Sequence, residues 1–252
     1  MGEIALICAL FLLRANPVAL GISQLPSQLR VSGVHYDRKL PLVEALRAVG
    51  LHVKGGFVSF GVDISGNTEP EVDLDMPDTT LSDALQRITS QIPGYASEVV
   101  SEHVVEIYPA AERANPEDLL NLPVREFSVK GTLATTIFSS PALYIPDMQT
   151  YVSKDRKNPT APSNLGCGRL KSDLKSNAVG VTLSLTGRTV RQILDAVAEA
   201  DATLPISAKS STLRLYPVGW VHRRTINVGT GVSDAWSSMS FVPHDWKLHV
   251  AK

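Results

Sequence analysis

A cysteine between two glycines, Gly166-Cys167-Gly168, is the first place where this sequence could do chemistry, with Arg169 and Lys171 just behind it. A thiol becomes a nucleophile only beside a base and in an electropositive setting. No motif supplies the base, so the plainer reading is a lone cysteine in a loop. The six histidines, His35, His52, His103, His222, His244 and His249, form no HxxxH or HExxH pair. His244 and His249 lie five apart with Asp245 between them, which is too sparse a set to hold a metal ion. Asp73 and Asp75, with Asp78 close by, would share one hydrated face of a strand. A calcium loop needs a sharp glycine turn and more oxygen ligands than these supply. Gly229-Thr230-Gly231-Val232-Ser233 lacks the lysine of a phosphate loop and reads as a turn. The sequence thus offers no catalytic residue, no cofactor-binding residue and no metal ligand set. It predicts a protein that is not an enzyme.

The elements that would have to position such residues are better marked. The 252 residues carry 24 Lys and Arg against 25 Asp and Glu, a balance that leaves no footprint for nucleic acid or an anionic membrane. With 44% hydrophobic and 19% charged residues the chain is globular rather than disordered. Ile4 to Leu13 forms an uncharged run, followed by Ala19-Leu20-Gly21 as a small-residue cleavage pattern. Residues 1–21 therefore read as a signal peptide, although Met1-Gly2-Glu3 brings no basic residue to its start. The run is too short to span a bilayer, which takes about 20 apolar residues. No integral membrane span is expected in the mature chain. The expected location is periplasmic or outer-membrane-associated, or cytoplasmic if the run is a buried strand or helix instead.

An internal repeat organises the remainder. Val72-Asp73-Leu74-Asp75-Met76 alternates apolar and polar residues, and Val181-Thr182-Leu183-Ser184-Leu185 does the same 109 positions later. Each leads into a helical stripe: Leu81, Ala84, Leu85 and Ile88 in the first, Val190, Ile193, Leu194 and Val197 in the second. Thr80 with Asp83 and Thr189 with Gln192 are capping-box-like starts. Val105-Glu106-Ile107-Tyr108-Pro109 is answered by Leu213-Arg214-Leu215-Tyr216-Pro217. An earlier half precedes each pattern. In the first unit it is a strand at Val34-His35-Tyr36, a helix opened by Pro41 and carrying Leu42, Ala45, Leu46 and Val49, and a strand from Val58 to Ile64. In the second it is a strand at Phe127-Ser128-Val129 and a weaker helix from Leu133 to Phe138.

The carrying residues are Pro41 to Leu46, Val72 to Met76, Leu81 to Leu85 and Val104 to Tyr108. With them the chain resembles the secretin and TonB short N-terminal domain over residues 34 to 109, and as a diverged second copy over 124 to 217. The resemblance implies an α+β protein of two tandem lobes, each with two helices packed on small sheets in strand–helix–strand order. The lobes would span 30–110 and 123–220, joined by a linker at 111–122. A loop at 153–178 is inserted in the second, and a tail at 221–252 contains Trp236 and Trp246. The resemblance also implies protein–protein interaction in the cell envelope, as an accessory to a secretin, type II secretion or pilus system or to TonB-dependent signalling. The expected mode is strand addition at sheet edges. The candidate edges are Val104, Val105, Glu106, Ile107 and Tyr108, and Leu213, Arg214, Leu215 and Tyr216. The partner would be an envelope protein, with self-association a further expectation. The competing readings are a secreted or periplasmic hydrolase using Cys167 or a histidine, and a structural subunit of an envelope assembly.

Overall fold

The computed structural model describes residues 26–155, 180–204, 218–227 and 231–240. In chain order the first half forms β1 (Arg30–Val31), β2 (Val34–His35), β3 (Leu40–Pro41), α1 (Leu42–Leu51), β4 (Val53–Lys54), β5 (Ser59–Ser65) and β6 (Glu71–Val72). It continues with β7 (Asp75–Met76), β8 (Thr79–Thr80), α2 (Leu81–Ser90), β9 (Tyr95–Val99) and β10 (Val104–Pro109). Then come β11 (Pro123–Thr132), α3 (Ala134–Ser139), α4 (Pro146–Asp155), β12 (Val181–Thr189), α5 (Val190–Thr203), β13 (Val218–Asn227) and β14 (Gly231–Ser240). Among the described residues the protein is mixed α and β, with five α-helices and several small sheets.

The helices form where the apolar stripes lie. α1 buries Leu42, Ala45, Leu46, Ala48 and Val49, and α2 buries Leu81, Ala84, Leu85 and Ile88. Thr80 starts α2 by accepting from the Asp83 amide at 3.1 Å. Thr189 and Gln192 close a full capping box at the start of α5. Such caps satisfy amides that the first helical turn leaves without partners, each contributing about 1 kcal/mol.

One five-stranded sheet divides the molecule, in the order β14-β13-β5-β10-β9. β13, β5 and β10 run parallel, while β14 and β9 are antiparallel strands at the two ends. Side chains alternate across a strand, and β5 is buried on both faces. Phe60, Val62, Ile64, Val105, Ile107 and Val221 turn to one face, where they share a core with α1 and α2. Val104 and Trp220 turn to the other, into a core with α3, α5, β11 and β12. Both cores therefore rest on the same strands.

The mixed α and β class is as expected, while the expected two tandem lobes, each with its own sheets, meet a sheet that both cores share. The second unit does pair β11 with β12, antiparallel over most of their length. Of the expected tail at 221–252, the described residues are 221–227 and 231–240. They enter the central sheet as β13 and β14, with β13 lying directly against β5 of the first unit. The segment from Val72 to Met76 is not one strand either. β6 pairs with β3 and β7 with β2, and between them the Asp73 amide donates to the side chain of Gln91 at 2.7 Å. The expected signal region 1–21, nearly all of the inserted loop and the end of the tail lie outside the described residues. No helix among the described residues is long and apolar enough to cross a membrane.

Candidate functional site

The chemically loaded side chains gather on the face of the sheet that α5 covers. Alternation puts Asp63 of β5, Glu106 of β10 and His222 of β13 on that face, and Arg191 and Asp195 project from α5 one turn apart. All five are at most 6% exposed. Arg191 Nη2 donates to Asp63 Oδ2 at 3.2 Å, and Arg191 Nη1 lies 3.6 Å from Glu106 Oε2. Arg113 also pairs with Glu106, and reaches Glu98 Oε2 at 2.6 Å. Arg224 faces Glu112 at 3.3 Å and Asp118 at 3.5 Å. The Asp118 carboxylate is fixed in turn by the Leu120 amide at 2.8 Å. One buried network thus ties β5, β10, β13, α5 and the turn at 118–121 together.

Its protonation follows from its contacts. His222 sits between two carboxylates, with Nδ1 3.0 Å from Asp63 and Nε2 2.9 Å from Asp234. Burial alone would lower the imidazole's pKa. The hydrogen bonds to Asp234 and Asp63 override that and raise it to about 9. Asp63 is likewise burdened by burial, yet His222 and Arg191 hold it below the ordinary carboxylate range. Asp195 goes the other way. Burial, then the charge of Glu106 and a hydrogen bond with it, push its carboxyl well above the usual range. These causes favour the protonated carboxyl of Asp195 over its charged form. Its Oδ1 accepts from the Trp220 indole at 3.0 Å, while Glu106 Oε1 is buried with no N–H donor. The Asp195 proton is what Glu106 Oε1 can receive.

A doubly hydrogen-bonded imidazolium has no free nitrogen with which to accept a proton from a substrate. These buried groups pair with one another and tie the strands of the sheet to α5. A second cluster, Glu102, His103 and Glu199, has ligand atoms within 4.8 Å of one another and lies nearer the surface. Both oxygens of Glu199 are already engaged there. Oε2 accepts from Ser101 Oγ at 2.5 Å and from the His103 amide at 3.0 Å, and Oε1 lies 2.7 Å from His103 Nδ1. These contacts hold the Glu199 carboxyl low despite its partial burial. Glu199 fastens α5 to the turn between β9 and β10.

The expected edge strand needs correction. Val104, Val105, Glu106, Ile107 and Tyr108 lie in β10, which is hydrogen-bonded to β5 on one side and β9 on the other. The chain turns at 100–103 and lays β9 along the flank the sequence suggested was open. Leu213, Arg214, Leu215, Tyr216, Cys167, His244 and His249 lie outside the described residues. Of the sequence-level acids, Asp73 is exposed, Asp75 pairs with His35 at 3.1 Å, and Asp78 accepts from the Gly33 amide at 2.7 Å. They form no common site.

The edge itself belongs to β9. Ala110 N–H donates to Gly94 O, and Val100 N–H to Val104 O. These bonds fix Ala96–Tyr108 and Glu98–Glu106 as the bonded pairs of the ladder, so the N–H and C=O of Ser97 and Val99 point away from β10. No strand pairs with that outer side among the described residues. Beside it runs a shallow groove lined by Leu81, Ser82 and Leu85 of α2, Ser97, Glu98 and Val99 of β9, and Val105 of β10. Val99 is 40% exposed and Val100 37%. Against known proteins, the chain matches no family model, no curated protein and no solved structure.

Proposed function

We propose that the protein is a non-enzymatic protein-interaction module whose recognition surface is the outer side of β9 with its adjoining groove. The observation that carries this reading is the outward N–H and C=O of Ser97 and Val99 beside apolar side chains of α2. An extended segment can bond to such an edge and set alternate side chains into such a groove. The burial of the charge network supports the same reading, because its acids and bases are occupied with one another. The sequence resemblance and the signal-like amino terminus support, within this proposal, a partner in the cell envelope.

A displayed library of short random peptides tests it. Extended peptides should enrich on the wild type and not on Ser97→Pro, which removes an outward N–H while leaving the β10 ladder intact. Val99→Lys serves as a second variant if the proline change disturbs folding. Equal enrichment on wild type and both variants, or none on any, overturns the proposal.

A further inference from the structure

We infer that β9 pairs with β9 of a second copy of this chain, antiparallel about a two-fold axis at Ser97; this rests on the strand-addition reading above. A two-fold interface must be self-complementary, each residue meeting its counterpart's partner. Only residues with outward backbone groups can form the bonded pairs, which leaves Tyr95, Ser97 and Val99. Centring the axis on Ser97 uses all three. Ser97 then meets Ser97, and Tyr95 of each copy meets Val99 of the other.

The Tyr95 N–H is already given to Ile92 O at 3.1 Å. The pairing therefore gains bonds through both groups of Ser97, the Val99 N–H and the Tyr95 C=O. Tyr95, Ser97 and Val99 lie on the α2 face, opposite Pro109, Ile107 and Val105 in the β10 ladder. The Tyr95 ring stays in its own core, its hydroxyl oxygen accepting from the Ser65 amide at 3.2 Å, so Tyr95 meets Val99 of the other copy through its backbone.

Charge selects the same register. On the other face, Glu98 of one copy falls opposite Ala96 of the other, and Arg113 already neutralises Glu98 within its own chain at 2.6 Å. Moving the axis by one residue to Glu98 would set two glutamates directly face to face, which is unfavourable. Moving it to Ala96 would leave Val99 opposite Pro93, which has no N–H to give. Pairing through Ser97 makes one continuous sheet of ten strands from two copies of the five-stranded one.

The register is tested by cysteine placement in a Cys8→Ser, Cys167→Ser background. In a bonded antiparallel pair the Cα atoms stand about 5.5 Å apart, within disulfide reach. Ser97→Cys should therefore give a covalent dimer on mild oxidation, whereas Glu98→Cys should not. The untagged wild type should show a concentration-dependent dimer in sedimentation, with a dissociation constant on the order of 10–100 μM for so small an interface. Ser97→Pro should be monomeric with an unchanged circular dichroism spectrum. A wild type that stays monomeric, or cross-links better at Glu98 than at Ser97, overturns the inference. A synthetic peptide of residues 94–100 separates that failure from failure of the parent reading. Its binding to monomeric wild type would reject self-pairing in the intact chain and keep the open edge, and its failure to bind, with an empty peptide screen, would reject both.

Discussion

Trp220 lies across from Gly61 in the parallel β13–β5 ladder, and its indole occupies the space where a side chain on Gly61 would stand. A Cβ there would come within 2.6 Å of the ring atoms Cε2 and Cζ2. The ring cannot easily withdraw, because Trp220 is fully buried and its N–H is held by Asp195. Gly61→Ala should therefore destabilise the protein by about 1–3 kcal/mol, the usual cost of overpacking a filled core. Urea denaturation followed by tryptophan fluorescence measures it. An unchanged midpoint would mean that the ring has room to move.

Asp195 gives a sharper test of the network, because burial and Glu106 favour its protonated form. Asparagine offers the same oxygen to the Trp220 indole and an N–H to Glu106 without needing that proton. Asp195→Asn should change stability at neutral pH by no more than about 1 kcal/mol. Asp195→Leu leaves both the indole N–H and Glu106 without their partner and should cost about 2–4 kcal/mol. The pair of variants, compared by chemical denaturation, distinguishes a shared proton from simple space-filling. A large loss with asparagine would contradict the protonated carboxyl.

The removal of Arg191 probes the same network from its positive side. Arg191→Met keeps most of the side chain's volume but leaves Asp63, Glu106 and Asp118 facing one another without the central guanidinium. Breaking a buried pair in this way typically costs about 3–5 kcal/mol. The loss should appear in the denaturation midpoint with little change in the helical content of whatever fraction remains folded. A neutral result would show that the acids simply take up protons in its place.

The helices and their caps were legible because amphipathic periodicity and Thr-led starts are local signals. α1, α2, α3 and α5 fall where the apolar stripes put them. The network was not legible, since Asp63 and Glu106 alternate with apolar neighbours just as the solvent side of a half-buried strand would. Arg191 and Asp195 likewise occupy what reads as the polar flank of α5. Their burial depends on α5 crossing the sheet face, a contact between residues far apart in the chain, 128 positions for Arg191 and Asp63. The only local hint was that Glu106 stands inside Val104-Val105-Glu106-Ile107, an unusually apolar setting for a charge. β9 was missed for the opposite reason. Ser97 and Glu98 interrupt its apolar character, and it is held by the register of its partner β10.

His222 predicts how stability responds to alkali. In the folded chain its pKa is raised to about 9, against 6.5 for a free imidazole, because Asp234 and Asp63 hold both ring nitrogens. The folded state therefore retains a proton that the unfolded state releases between these values. This contribution is fully present below about pH 6.5, declines as pH rises, and is gone above about 9. The window closes before tyrosines titrate, and Tyr95 and Tyr108 are both pushed above their ordinary value of 10.0 by burial. A shift of this size corresponds to about 3 kcal/mol at most, spread over the window. Unfolding free energies of the wild type should fall progressively between about pH 6.5 and 9, and His222→Gln should flatten that slope while lowering stability at its acid end. A wild-type curve that is level across this range would remove the imidazolium from the network and leave Asp63 with Arg191 alone.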